Sequence, residues 1–361
     1  MRDRAERLPG LDAARALAVV AMVVGHTADG LLSDAARALP WVQVYWGFRG
    51  LTAPLFLVVS GWAVMMTAAR SRLSGKAFFR ARLRRVALLL ACGLALRWPG
   101  WEAAALLDAE RTTWEHLLGF DALQCIAWNL LAGAALLAMV PRFAARAWAL
   151  GVIALLVPLG SGAVHAAITA FEPPSLVRLA LVPSAESPFA LLPSAGYFFA
   201  GAFAGHLLPL LRGNLRRALA LLASGGALVE IASVAGVDWS TSASPTVVAF
   251  RLGQVVAILG AVTLIPAVAS LRVSPLGRSS LVVYVAHLPI VYGWAGLEGL
   301  AEIWGRALQP WQVLGVAACL LIFGLTLAAA LRWTRASLRT MQLSLLPPTP
   351  SASATGEPPP P

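Results

Sequence analysis

Apolar residues run along this chain in ten blocks of spanning length, separated by short polar and mostly basic loops. The blocks lie at roughly 11–32, 48–69, 83–99, 117–140, 147–168, 188–210, 216–236, 246–270, 278–297 and 312–333. A hydrocarbon core of about 30 Å is crossed by about 20 apolar helical residues. Backbone in lipid must satisfy its own hydrogen bonds, which favours helices. The pattern therefore predicts an all-α, polytopic integral membrane protein of about ten transmembrane helices. Residues 1–340 form one membrane unit. The stretch 341–361 is rich in Pro, Ser and Thr, cannot bury a core, and is expected to be a disordered tail. No internal repeat is visible, and no loop is long enough for a soluble domain.

Charge orients the predicted bundle. Of 28 Lys and Arg, twenty fall before the first block, between Arg70 and Arg85, or in every second loop after that. Five (Arg37, Arg97, Arg111, Arg178 and Arg306) fall in the alternate loops, and Arg15, Arg49 and Arg251 lie in or at the edge of blocks. By the positive-inside rule both termini are cytoplasmic. The chain is 59% hydrophobic and 12% charged, where soluble domains carry about 25% charge. A net charge of +11 in short loops reads as topology and contact with anionic membrane lipid, not as a nucleic-acid surface. Arg2, Arg4 and Arg7 before the first block resemble a signal peptide. The block is long enough to span and carries functional polar groups, so it is expected to be retained.

Those polar groups single the first block out. Asp12, Arg15 and His26 lie within Leu11–Leu32. An ionisable side chain near the centre of a spanning helix costs about 3 kcal/mol on insertion scales and marks a protein-lined interior. Arg15 to His26 is roughly three turns plus 20°, and Asp12 to His26 is about 40° short of four turns. One polar stripe results, with Arg15 and His26 about 16 Å apart along the axis. Asp12 and Arg15 read as a structural i, i+3 pair or as part of a site. A neutral imidazole can act as a general base, and a fixed Arg suits a phosphate-bearing donor.

Three further segments carry candidates. In Phe48–Gly61, Arg49 starts a span at the extracytoplasmic side, either snorkelling to the interface or touching substrate. In Leu276–Pro289, Ser280, Tyr284 and His287 share one helix face, with His287 near mid-membrane. In Phe120–Asn129, Asp121, Gln124 and Trp128 share a face; Asp121 could bind a sugar hydroxyl or amine, or pair with Arg49 or Arg251. Eight Trp (Trp41, Trp46, Trp98, Trp101, Trp114, Trp239, Trp304 and Trp311) gather in the non-cytoplasmic loops as an interfacial belt or a sugar-stacking surface. Cys92, Cys125 and Cys319 show no pairing pattern and read as small apolar residues. No metal-ligand spacing, P-loop or dinucleotide fingerprint is present.

Taken together, these segments resemble the superfamily of polytopic membrane acyltransferases. Gly10-Leu-Asp-Ala-Ala-Arg15, then ten residues, then His26, resembles the Arg and His of the first span in acyltransferase family three. Pro54–Gly61 resembles that family's Ser-Gly second span, and Gly277–His287 its late Tyr-x-x-His helix. Leu123–Ala127 is closer to the related heparan-α-glucosaminide N-acetyltransferase group. The resemblance implies a multi-pass acyltransferase of a bacterial inner or plasma membrane. It implies that acyl-CoA, commonly acetyl-CoA, serves as co-substrate from the cytoplasm, with the acyl group passing to a hydroxyl or amine of an extracytoplasmic glycan or glycolipid. On that reading His26 is the catalytic residue, deprotonating the acceptor or briefly carrying the acyl group, assisted by Arg15 and His287. Arg15, Arg82, Arg84 and Arg85 receive the CoA phosphates, and Arg49, Asp121 and Tyr284 meet the acceptor. The rival is a transporter or flippase of a glycan or amphiphile, which would also hold ionisable groups at mid-membrane but should show related halves.

Overall fold

The computed structural model describes residues 9–71, 75–100, 111–171, 174–265 and 267–344. Arg2, Arg4, Arg7, Arg72, Trp101 and the tail beyond Ser344 lie outside the described residues. Within them the fold is all-α, with no strand. Each predicted apolar block falls on a helix: α1 Pro9–Leu31, α2 Thr52–Arg70, α3 Gly75–Leu96, α4 Ala122–Met139, α5 Phe143–Phe171, α6 Leu191–Leu207, α7 Asn214–Val234, α8 Pro245–Thr263, α9 Ser280–Tyr292 and α10 Pro310–Ser344.

Eight of the ten are long and apolar enough to cross a membrane; α3 and α9 are the exceptions. Helix α3 keeps Lys76, Arg80, Arg82, Arg84 and Arg85 in its first half. Helix α9 has 13 residues, about 20 Å against a hydrocarbon core of about 30 Å. It stops because Gly293 takes a left-handed φ of 82°. That turn is one an L side chain resists. The second block also differs from expectation. A separate helix, Pro40–Arg49, precedes α2, and the chain restarts after Gly50 and Leu51. Pro54 sits in the first turn of α2, where its missing N–H costs nothing.

Helix α1 is the hub. Ala13, Ala14, Ala16 and Ala18 are all buried. Its first half joins the main core with Leu55, Val58, Trp62, Phe198 and Leu259 of α2, α6 and α8. Its second half packs Val19, Met22 and Val23 against Val283 and Val291 of α9 and Ala317 and Leu320 of α10. Arg37 closes its end, donating to the carbonyls of Ala28 (3.0 Å), Asp29 (2.6 Å) and Leu32 (3.0 Å), a cation on orphan C-terminal acceptors. Helices α2 and α6 touch backbone to backbone, since a Cβ on Gly61 or Gly201 would run into the facing Phe198 or Val58 main chain. Small residues at such contacts are how helices associate where lipid supplies no hydrophobic drive. Exposed Leu155, Leu156 and Leu159 on α5 and Trp311, Leu314 and Ile322 on α10 suit a lipid-facing surface.

A second close approach seats the polar stripe. The helix Ala267–Arg278 lies on the start of α1, and a Cβ on Gly277 would stand 2.6 Å from the Asp12 carbonyl oxygen. Gly277→Val should push the two apart. We expect a loss of about 1–3 kcal/mol, the usual range for overpacking, read as a lower melting temperature in detergent. An unchanged melting temperature would mean the contact yields freely.

Candidate functional site

Two cavities enter the bundle from opposite ends. The first, about 390 Å³, opens at the end where α1 finishes and is lined by Gly25, His26, Trp46, Arg49, Ser242 and Arg251, among others. The second, about 370 Å³, opens where α1 begins and is lined by Arg15, Ser60, Thr67, Arg82, Arg85 and Arg278. Phe56, Ala122, Ile126 and Tyr284 line both. These four side chains form a common wall, and Tyr284 is the polar member.

His26 sits in a chain of polar contacts. The Tyr292 hydroxyl lies 3.2 Å from His26 Nδ1, 3.2 Å from Asp29 Oδ2 and 3.3 Å from the His26 carbonyl. Arg49 Nη1 donates to Asp29 Oδ1 at 3.0 Å. A phenol has one proton, and a carboxylate or carbonyl oxygen only accepts. The Tyr292 proton therefore points to Asp29 or the carbonyl, and His26 Nδ1 must carry the hydrogen it donates to the phenol oxygen. That assignment leaves Nε2 as the bare, basic nitrogen. Arg49 anchors the chain, and its guanidinium lies 5.3 Å from the Trp46 ring centre.

His287 packs behind His26, with ring centroids 5.4 Å apart. It is 1% exposed. Its Nδ1 donates to the Val283 carbonyl at 2.8 Å, so its Nε2 is an acceptor, and that atom is buried without a partner. Tyr284 stands edge-on to the His287 ring at 6.0 Å.

At the other end, Arg15 Nη1 is 3.6 Å from Asp12 Oδ1, and Ser274 Oγ donates to Asp12 Oδ2 at 3.1 Å. Arg82 stacks over Phe78 at 5.3 Å with its Nε buried and unpartnered. The residues lining this cavity include four arginines and no carboxylate. That balance fits a polyanionic ligand.

The expected residues thus divide. His26, Arg49 and Tyr284 line the first cavity; Arg15, Arg82 and Arg85 line the second, with Tyr284 in their shared wall. His287 supports His26 from behind. Arg84 is exposed and lines neither cavity. Asp121 lines neither; it caps α4, accepting from Ala122 N at 3.1 Å, and lies 3.6 Å from Arg97, not beside Arg49 or Arg251. Arg97 also donates to the carbonyls of His116 (2.5 Å) and Glu186 (2.6 Å), so Asp121 belongs to a loop clasp. Of the tryptophans, Trp46 faces the cavity, while Trp41, Trp239, Trp304 and Trp311 are exposed.

Sequence reasoning missed Asp29 and Tyr292. Asp29 lies three residues after His26, on the face the stripe already occupies, so periodicity alone could have added it. Tyr292 is 266 residues away, and no local signal pairs them.

The acyltransferase domain of acyltransferase family 3 matches residues 8–333, nearly the whole chain. No curated protein matches it.

Proposed function

The chain belongs to acyltransferase family 3, and on that footing we propose that it moves an acetyl or similar acyl group from acyl-CoA to an acceptor on the far side of the membrane. It is a multi-pass membrane acyltransferase. The observation that carries the finer reading is the pair of cavities meeting at one wall, basic on one side and holding His26 on the other. The positive-inside bias puts the Arg15 cavity on the cytoplasmic face, of a bacterial inner or plasma membrane on this reading. There Arg15, Arg82 and Arg85 receive the phosphates of the donor. The thioester reaches the common wall of Phe56 and Tyr284. A hydroxyl or amine of a glycan or glycolipid enters the other cavity, with Arg49 and Trp46 at its mouth.

His26 Nε2 takes the proton from the acceptor as its oxygen or nitrogen attacks the thioester carbon. The C–S bond breaks, and the imidazolium returns its proton to the leaving thiolate. Tyr292 and Asp29 hold the tautomer that frees Nε2 and stabilise the imidazolium, as an orienting carboxylate does in a catalytic triad. Arg49 fixes Asp29, and His287 braces the ring.

Purified chain in nanodiscs should release free CoA from acetyl-CoA, faster with glycan acceptors than with water. Absence of CoA release, together with no thermal stabilisation by millimolar CoA, would favour transport instead. Tyr292→Phe removes the hydroxyl and should lower kcat about 10- to 100-fold, below the 10²–10⁴ ascribed to a general base itself. KM for acetyl-CoA should not move, because Tyr292 does not line the donor cavity. A raised KM with unchanged kcat would refute the orienting role.

A further inference from the structure

Arg251 of α8 is a cation without a matching carboxylate. Among the described residues it forms no ion pair, whereas Arg49 in the same cavity is neutralised by Asp29 at 3.0 Å. Its guanidinium lies 5.7 Å from the Trp239 ring centre. Gly50 makes room for it, since a Cβ there would stand 3.1 Å from Arg251 Nη2. The residues lining the first cavity include no Asp or Glu, and Ser242 and Tyr197 line it together with Arg251. The Tyr197 phenol meets the Arg251 side chain, but a neutral partner supplies no countercharge, and a half-buried guanidinium without one is costly. Planar guanidinium forks pair best with carboxylate or phosphate oxygens.

We propose that this cavity is an anion site, in which Arg251 binds a carboxylate or phosphate carried by the acceptor, so that the preferred acceptors are acidic. That the bound anion belongs to an acyl acceptor rests on the acyltransferase reading; the anion site does not. Arg251 would hold the charged group away from His26, leaving a hydroxyl or amine to approach Nε2.

The test uses the full chain in detergent and two matched pairs of probes, glucuronate against glucose and glycerol 3-phosphate against glycerol. Calorimetric titration should show at least one charged member binding about tenfold or more tightly than its neutral partner. Comparing the two pairs tells carboxylate from phosphate. Arg251→Gln should remove the preference, Arg251→Lys should keep part of it, and Arg212→Gln, in a loop at the opposite end, should keep all of it. Wild-type protein gives a second reading that needs no variant. Glucuronate or glycerol 3-phosphate should slow phenylglyoxal modification of Arg251, followed by peptide mass spectrometry, and the neutral partner should not. Equal binding of charged and neutral probes, or a preference that survives Arg251→Gln, would overturn the anion site. No step needs a donor. A chain that shows the preference but transfers no acyl group loses the enzymatic reading alone. One that transfers acetyl without the preference loses only the anion site.

Discussion

His26→Ala should lower acyl transfer by about 10²–10⁴-fold, the contribution expected of a positioned general base, with helical content and melting behaviour retained. The residue lines the first cavity while its backbone stays within α1, in its last third, flanked by Gly25 and the buried Thr27. Truncation to Ala takes away no hydrophobic packing of the kind that Val19 and Val23 provide. It does strip the Tyr292–Asp29–Arg49 chain of its terminal member, but that chain keeps the His26 carbonyl as an acceptor. The loss should fall on kcat, with binding of CoA unaffected, because the cavity proposed for the donor lies on the other side of the Phe56–Tyr284 wall. Transfer at wild-type rates in His26→Ala would remove the histidine from the chemistry.

Arg15→Gln should weaken CoA binding about tenfold or more, as the loss of a charge-assisted phosphate contact does. KM should rise and the thermal stabilisation by CoA should shrink. The competing explanation is that Arg15 serves only to pair with Asp12. Asp12→Asn separates the two. It removes the ion pair at 3.6 Å but leaves an acceptor for Ser274 and leaves the guanidinium facing the cavity. If Arg15 binds donor phosphate, Asp12→Asn holds its CoA affinity or gains some. Matching losses in the two variants would mark the pair as structural.

The fold was largely legible because membrane solvation enforces one pattern. Apolar blocks must be helices, and all ten predicted blocks are. The misjudged parts are where local geometry overrides hydropathy, as when Gly293 ends α9 early and Gly50 with Leu51 divides Pro40–Arg49 from α2. The site was legible along single helices. The spacing that puts Arg15 and His26 on one face of α1 is local, and so is the register that stations Tyr284 and His287 on α9. Partnership between helices was not legible. By sequence Asp121 suits a sugar hydroxyl or amine, or Arg49 or Arg251 as a partner, but loop closure delivers Arg97 to it. Sequence groups Arg84 with Arg82 and Arg85, yet only Arg82 and Arg85 of the three line the cavity. Tyr292 meets His26 only because α9 packs along α1.

The partition of Phe56, Ala122, Ile126 and Tyr284 has a consequence for the cell's energetics. A carrier that ferried a whole donor or acceptor would need alternating gates, each swing a chance for protons to slip through. With two pockets meeting at one wall, the proposed transfer would move only a few atoms across and leave the membrane's stored electrical work untouched. In the proposed reaction each turnover would draw its driving force from the thioester bond alone. Enlarging the wall's aperture, for example by Phe56→Ala, would trade this insulation for conductance, measurable as dissipation of a proton gradient across sealed vesicles.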